Sequence, residues 1–342
     1  MLYHDTQPHG YRYRLGRRRG MCPSCHRRDF KYYVDTLTGE ILDSRCGRCN
    51  REHSCGYHEP PSHFPDIIQN IMKDTNLTTR LLARPQPAPA TSEPPSLMPL
   101  PMVKATLGAD RMLNSLYRFF LLHYNTSFIM EAFKEMEVGT ARFGGGSPVF
   151  WLRDRFGNYR SGKVMAYDSN TGHRVKSHDT VTVNYAHSLA RLPGYNFQSC
   201  YYGEYNAARY PDGTIILVES EKSALVLRMM LAALSQVPGR YLAMATSGAS
   251  NFSVDPSRMA DPTYRMSILY NRNLIVIPDA DMVDRWQKSA MRLKPFLGSL
   301  RLLDVRTSPF GLEGSDDIAD WILDHGHRLS ECLTAIRTAP RI

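Results

Sequence analysis

The sequence predicts an α/β protein: a parallel-sheet domain, an upstream α+β subdomain and a small N-terminal zinc β-ribbon. Three observations predict it. Two apolar stretches, TIILV from Thr214 and NLIVI from Asn273, each end abruptly in carboxylates, and β-branched runs this short read as strands buried on both faces. Between them Ser220–Leu234 has helical composition, Gly239 breaks it, and Tyr241–Thr246 reads as another strand, an alternation that implies parallel pairing. Near the N-terminus, two Cys-x-x-Cys pairs stand 20 residues apart, the spacing of a four-thiolate zinc site.

The chain has 342 residues, 42% of them hydrophobic and 10% aromatic, room for two or three domains with a true core. It has no apolar run near the roughly 20 residues that a membrane helix needs, and MLYHDTQPHG at the start has no apolar signal-peptide core. Cytoplasmic residence without a membrane partner is therefore the expectation. The net charge of +9 suits a polyanionic partner. Five of the seven cysteines fall between Cys22 and Cys55, a clustering that favours metal over disulfides in a chain read as unexported.

Residues 1–60 are read as a basic arm and the ribbon. The arm, YRYRLGRRR at Tyr11–Arg19, carries five arginines and two tyrosines. It is either a phosphate-contacting segment through Arg17, Arg18 and Arg19 with tyrosines to stack on bases, or a solvated tail. Cys22, Cys25, Cys46 and Cys49 are the expected zinc ligands. Cys55, His26, His53 and His58 are read as bystanders, one of which could replace a ligand. Phe30–Leu42 reads as the intervening hairpin, and so short a unit depends on its metal. Arg27, Arg28, Lys31, Arg45, Arg48 and Arg51 around the knuckles make nucleic acid the expected docking partner. Phe64, Ile67, Ile68 and Ile71 give residues 61–82 a helical period. Residues 83–104, dense in proline, read as a linker.

Residues 105–200 form the α+β subdomain. Ala109–Tyr124 and Thr126–Met136 are helical by period, with Asn125 or Thr126 as N-cap. Gly144-Gly145-Gly146 has no P-loop context and reads as a flexible loop. Pro148–Lys176 reads as hairpins turning at Phe156–Asn158 and Ser169–Gly172.

In residues 201–325 the carboxylates come to the fore. Glu219 follows the first run; Asp279 and Asp281 follow the second. Open parallel sheets place their ligands outside the carboxyl ends of their strands. Acids gathered there suit a hard cation such as Mg²⁺. Lys222, one helical turn on, either reaches a phosphate or lies at the surface. Asp316 or Asp317 either completes the metal cluster or caps a last helix. Residues 326–342 are read as a C-terminal helix or tail.

Strand–Glu–helix, then Ala245-Thr246-Ser247-Gly248, then strand–Asp-x-Asp, resembles the Toprim domain of primases and topoisomerases. Val149–Tyr167 (VFWLRDRFGNYRSGKVMAY) and the lead-in Tyr202-Gly203-Glu204 with Ala207-Ala208 resemble the segment before Toprim in bacterial-type primases. With a ribbon in front, the order resembles small primase-like proteins of conjugative elements. Two departures stand out: Glu219-Ser220 where primases have Glu-Gly, and Asp279-Ala280-Asp281 where they have Asp-Gly-Asp.

The resemblance implies a Toprim-type sheet and Mg²⁺- or Mn²⁺-dependent nucleotidyl transfer from nucleoside triphosphates on single-stranded DNA, in mobile-element replication or transfer. Glu219, Asp279, Asp281 and Asp317 would hold the cation, with Lys222 beside them. Arg160, Lys163, Arg174 and Lys176 would contact nucleic acid. A separate helicase or replication protein is an expected partner, since no helicase P-loop is present. A Toprim nuclease and a catalytically silent binding module are the competing readings.

Overall fold

In the computed structural model, residues 13–35, 39–51, 55–64, 94–142, 145–175, 183–248, 251–252 and 254–342 are described. They divide into two units, Met1–Ser92 and Glu93–Ile342. Most of the predicted helix and the first half of the proline-rich stretch, residues 65–93, lie outside the described residues, as do the Arg17 and Arg18 side chains and Lys176.

The first unit is an antiparallel sheet of β1 (Tyr13–Gly20), β2 (Phe30–Asp35), β3 (Gly47–Cys49) and β4 (His58–Glu59), in that order. The end of the basic arm is therefore a strand rather than a tail, since Tyr13 pairs with Asp35 and Gly20 with Phe30. The predicted hairpin return is only a single bridge, Val34 to Ile41. The true partners of β2 are β1 and β3. Two small apolar clusters form. One gathers Cys22, Phe30 and Cys49 with Cys25 and Cys55; the other gathers Tyr33 and Cys46 with Tyr13 and Leu15.

The second unit opens with α1 (Leu100–Leu107), which starts inside the stretch read as linker. Pro101 sits in its first turn, where the missing N–H costs nothing. Helices α2 (Ser115–Phe120) and α3 (Thr126–Glu135) follow. Asn125 caps α3 as predicted, its side chain accepting from Ser127 N, and Asn114 caps α2 in the same way. An antiparallel sheet runs β5 (Val138–Ala141), β6 (Ser147–Arg153), β7 (Tyr159–Met165) and β8 (Val183–Tyr185). Short helices α4 (Ala186–Leu189) and α5 (Glu204–Arg209) lead into the second sheet.

That sheet contains β9 (Thr214–Val218), β10 (Tyr241–Ala245), β11 (Asn273–Val276) and β12 (Ser299–Leu302), all parallel, in the order β10-β9-β11-β12. Helix α6 (Glu221–Ala233) links β9 to β10, α7 (Val283–Leu293) links β11 to β12, and α8 (Ile318–Asp324) and α9 (Leu329–Thr338) complete the chain. Residues 251–270, which have no clear sequence period, make short 3₁₀ turns whose Met259, Met266 and Leu269 are buried.

Strand alternation explains the two cores. Ile216 and Val218 face one cluster with α6, while Ile215 and Leu217 face another with Trp286 of α7. A parallel sheet covered on both faces needs apolar residues at every position, hence the unbroken TIILV. Leu217 is fully buried, so Leu217→Ala should cost about 2–5 kcal/mol through lost transfer energy and a cavity. Urea unfolding checks this; a loss below about 1 kcal/mol would show that the site collapses freely.

Candidate active site

The topology creates a crevice. From β9 the chain crosses to β10 on one side, whereas β11 crosses to β12 on the other. Opposite crossovers leave a gap beyond the carboxyl ends of β9 and β11, where open α/β sheets bind ligands. The register brings the ends level: Val218 pairs with Ala245 and Val276 with Leu217. Ile277 N then donates to Leu217 O at 2.9 Å and Thr246 N to Val218 O at 3.0 Å. Glu219 leaves β9 and Asp279 leaves the chain after β11 on the two sides of this crevice.

The charge environment of Asp279 reflects its acidic neighbours. Burial first, then the charges of Glu219, Asp317, Asp281 and Asp320, push the Asp279 carboxyl up to about 9. Four other carboxylates thus act on one side chain, and Asp281, two residues on, is exposed. Ala280 N donates to Asp316 O at 3.1 Å, fastening the 316–320 segment beside the end of β11. The donor set is all oxygen and its mutual repulsion favours a divalent cation, so it fits Mg²⁺ or Mn²⁺.

The acids differ in duty. Asp317 is buried and caps α8, forming a capping box with Asp320. Its Oδ1 accepts from Ala319 N at 2.7 Å and Asp320 N at 3.1 Å, and its Oδ2 accepts from Ser223 Oγ at 2.7 Å. Both oxygens are engaged, so its contribution to the crevice is charge held in place rather than an open pair of ligand atoms. Ser220 caps α6 by accepting from Ser223 N at 3.1 Å. Ser220 therefore stabilises the helix that follows Glu219. Lys222 Nζ lies 3.1 Å from Asp320 Oδ1, with its side chain largely buried. It is neither a bare surface lysine nor an isolated cation. Asp316 is exposed.

Of the four described basic side chains expected to meet nucleic acid, two are turned to internal work. Lys163 Nζ pairs with the fully buried Glu221 at 2.9 Å and donates to Ser247 O at 3.2 Å. Arg160 Nε holds Asp154 at 2.7 Å. Arg174 is exposed. Arg19 is also exposed, paired with Asp29 at 2.9 Å. Sequence reasoning missed Glu221: its partner is 58 positions away, and nothing local distinguishes it from an ordinary helix-start acid. Lys163 locks the antiparallel sheet to the first turn of α6, beside the crevice.

In the first unit, the thiols of Cys22, Cys25, Cys49 and Cys55 all lie within 4.8 Å of one another. Cys22 Sγ is 3.7 Å from Cys55 Sγ, and Cys25 Sγ is 3.9 Å from Cys49 Sγ. A tetrahedron with Zn–S near 2.3 Å has edges of about 3.8 Å, so the set fits zinc. This corrects the expected ligands: Cys55 takes the place of Cys46. The second Cys-x-x-Cys enters a strand, where residues three apart point to opposite faces. Cys49 therefore joins the thiols while Cys46 packs with Tyr33.

Comparisons with known proteins agree with this division. Residues 11–69 match a family model described as a zinc beta-ribbon finger, and residues 114–280 match one described as a domain of unknown function, DUF6371. No curated protein matches the chain. Among solved structures, it is similar to a DnaG catalytic core at TM-score 0.46 and 14% identity, covering 70% of this chain and 78% of that one. The E. coli primase catalytic core gives 0.43 and 14%, covering 70% and 77%. The Aquifex aeolicus primase, with zinc-binding and RNA polymerase domains, gives 0.39 and 12%, covering 67% and 60%. Function therefore has to be argued from the site itself.

Proposed function

We propose that this chain is a Toprim-type, primase-like nucleotidyltransferase that joins nucleotides on single-stranded DNA, in the replication or transfer of a mobile element. The observation that carries the reading is the crevice between β9 and β11, flanked by Glu219 and Asp279 and charged by Asp281, Asp317 and Asp320. Bound there, Mg²⁺ or Mn²⁺ supplies charge neutralisation for a triphosphate and its leaving pyrophosphate. Glu219, Asp279 and Asp281 would hold that cation. Asp317 fixes the α8 terminus so that Asp320 and Lys222 stay paired at the rim. Lys163 neutralises Glu221 and thereby keeps a further buried charge out of the field. The zinc ribbon, with exposed Arg19 and its basic neighbours, guides the template strand.

The test is primer synthesis on single-stranded DNA with Mg²⁺ and labelled nucleoside triphosphates, followed on a sizing gel. Wild-type protein should extend, and Glu219→Gln should lower the rate by roughly 10²–10³-fold, the loss typical of removing a preorganised charge contact. Cleavage of the DNA without synthesis would replace this reading with that of a nuclease. Neither activity, in protein that retains its zinc, would leave a binding module.

A further inference from the structure

A cavity of about 440 Å³ opens beside the acid cluster, within the size range of small-molecule sites. Asp316, Asp320 and Lys222 line its edge. Its far side is aromatic. His325 lies parallel to Trp321, ring centroids 4.7 Å apart and planes 15° apart. Trp321 is buried and edge-on to Phe310, which leaves the half-buried His325 as the outer ring of the stack. His325 Nδ1 bonds Trp321 O at 3.0 Å, which holds the ring in that plane.

The third side is the Asp168–His173 turn. Asp168 Oδ1 accepts from Asn170 N and Thr171 N, each at 2.9 Å, so the turn is rigid. Gly172 has φ +66° and presses on Phe119, where an added Cβ would come within 2.3 Å of the ring. The Asn170 amide lines the cavity and, among the described residues, takes part in no side-chain hydrogen bond. It offers a donor and an acceptor side by side.

We propose that this cavity holds the base and sugar of a nucleoside triphosphate whose phosphates reach the acid cluster, an assignment that rests on the nucleotidyl-transfer reading. A planar ring stacks on His325, the Asn170 amide meets a polar base edge, and Lys222 faces the phosphates. The acidic rim matches a cation-bridged triphosphate and disfavours a bare anion. The aromatic side has no use for a phosphate alone. Only a ligand planar at one end and polyanionic at the other answers both.

Titration calorimetry on the zinc-loaded full chain separates the two parts. Ca²⁺ replaces Mg²⁺ to suppress turnover, and ATP is compared with inorganic tripolyphosphate, which lacks base and sugar. Wild-type protein should bind ATP at least tenfold tighter than tripolyphosphate, since stacking and one amide contact are each of that order. Asn170→Ala and His325→Ala should each erase most of that difference and leave tripolyphosphate binding unchanged. Asn170 sits in an exposed turn, so its variant folds even if the loss of His325 disturbs Trp321. Equal binding of the two ligands, or variants that weaken neither, overturns the cavity assignment while leaving the acid site intact. If neither ligand binds, the nucleotidyl-transfer reading falls with it.

Discussion

Asp279→Asn is expected to raise the melting temperature of the metal-free protein at pH 8 and to abolish its response to Mg²⁺. The folded carboxyl titrates at about 9 against an ordinary value of 3.8, chiefly through burial and then through Glu219. Between about pH 4 and pH 9 the folded state therefore holds a proton that the unfolded state has released. Its contribution to stability falls as pH rises through that window and levels off above it. Asparagine cannot ionise, so the variant's stability in EDTA should be flatter from pH 5 to pH 8. Mg²⁺ at a hundred times its dissociation constant should stabilise wild-type protein by about 2.7 kcal/mol and the variant by much less. Melting curves at three pH values, with and without Mg²⁺, decide it. A wild-type curve already flat in EDTA, with equal Mg²⁺ shifts for both proteins, would mean that the acids do not form one site. The same substitution should stop primer synthesis, because residues acting on one cation fail together.

The second large effect is in the ribbon. Cys55→Ser should empty the zinc site and unfold the first unit, whereas Cys46→Ser should retain one zinc per chain. Metal binding to such small units supplies about 10–16 kcal/mol that is in effect folding energy. Cys46, packed against Tyr33, should instead cost roughly 1 kcal/mol on replacement, as for most single changes. Elemental analysis of the two purified variants gives the answer directly. Zinc retained by Cys55→Ser and lost by Cys46→Ser would restore the ligand set that the Cys-x-x-Cys spacing suggests. Loss of the ribbon should also weaken binding to single-stranded DNA and flatten its salt dependence, since Arg19 and its neighbours would no longer be arrayed on β1.

Much of the fold is legible in local patterns because the physics is local. TIILV and NLIVI read as strands covered on both faces, and the structure buries Ile215, Ile216, Leu217, Leu274 and Ile275 accordingly. Asn125 announces a helix through its own side chain, and Gly157 announces the turn between β6 and β7. Glu219 directly follows β9, and Asp279 and Asp281 come shortly after β11, so the sequence places all three toward one end of the sheet. A parallel sheet must bring such strand ends to one edge.

What the sequence alone determined is thus the strands, the caps and the sheet whose ends carry the acids. The tertiary structure alone decided which thiol and which charge meets which. Cys46 and Cys49 look like one knuckle, but the chain between them is extended, and an odd spacing on a strand sends the two sulfurs to opposite faces. Cys55 reaches the cluster because β3 and β4 pair. Lys163 and Arg160 read as surface cations, yet Glu221 and Asp154 claim them once the chain is folded. Asp317 reads as ligand or, more readily, as cap, and the arrival of Ser223 from α6 engages its second oxygen. Periodicity records what each residue does to its own neighbours along the chain. Burial in a low-dielectric interior makes pairing obligatory for a charge, and the partner is set by packing between segments that no local pattern connects.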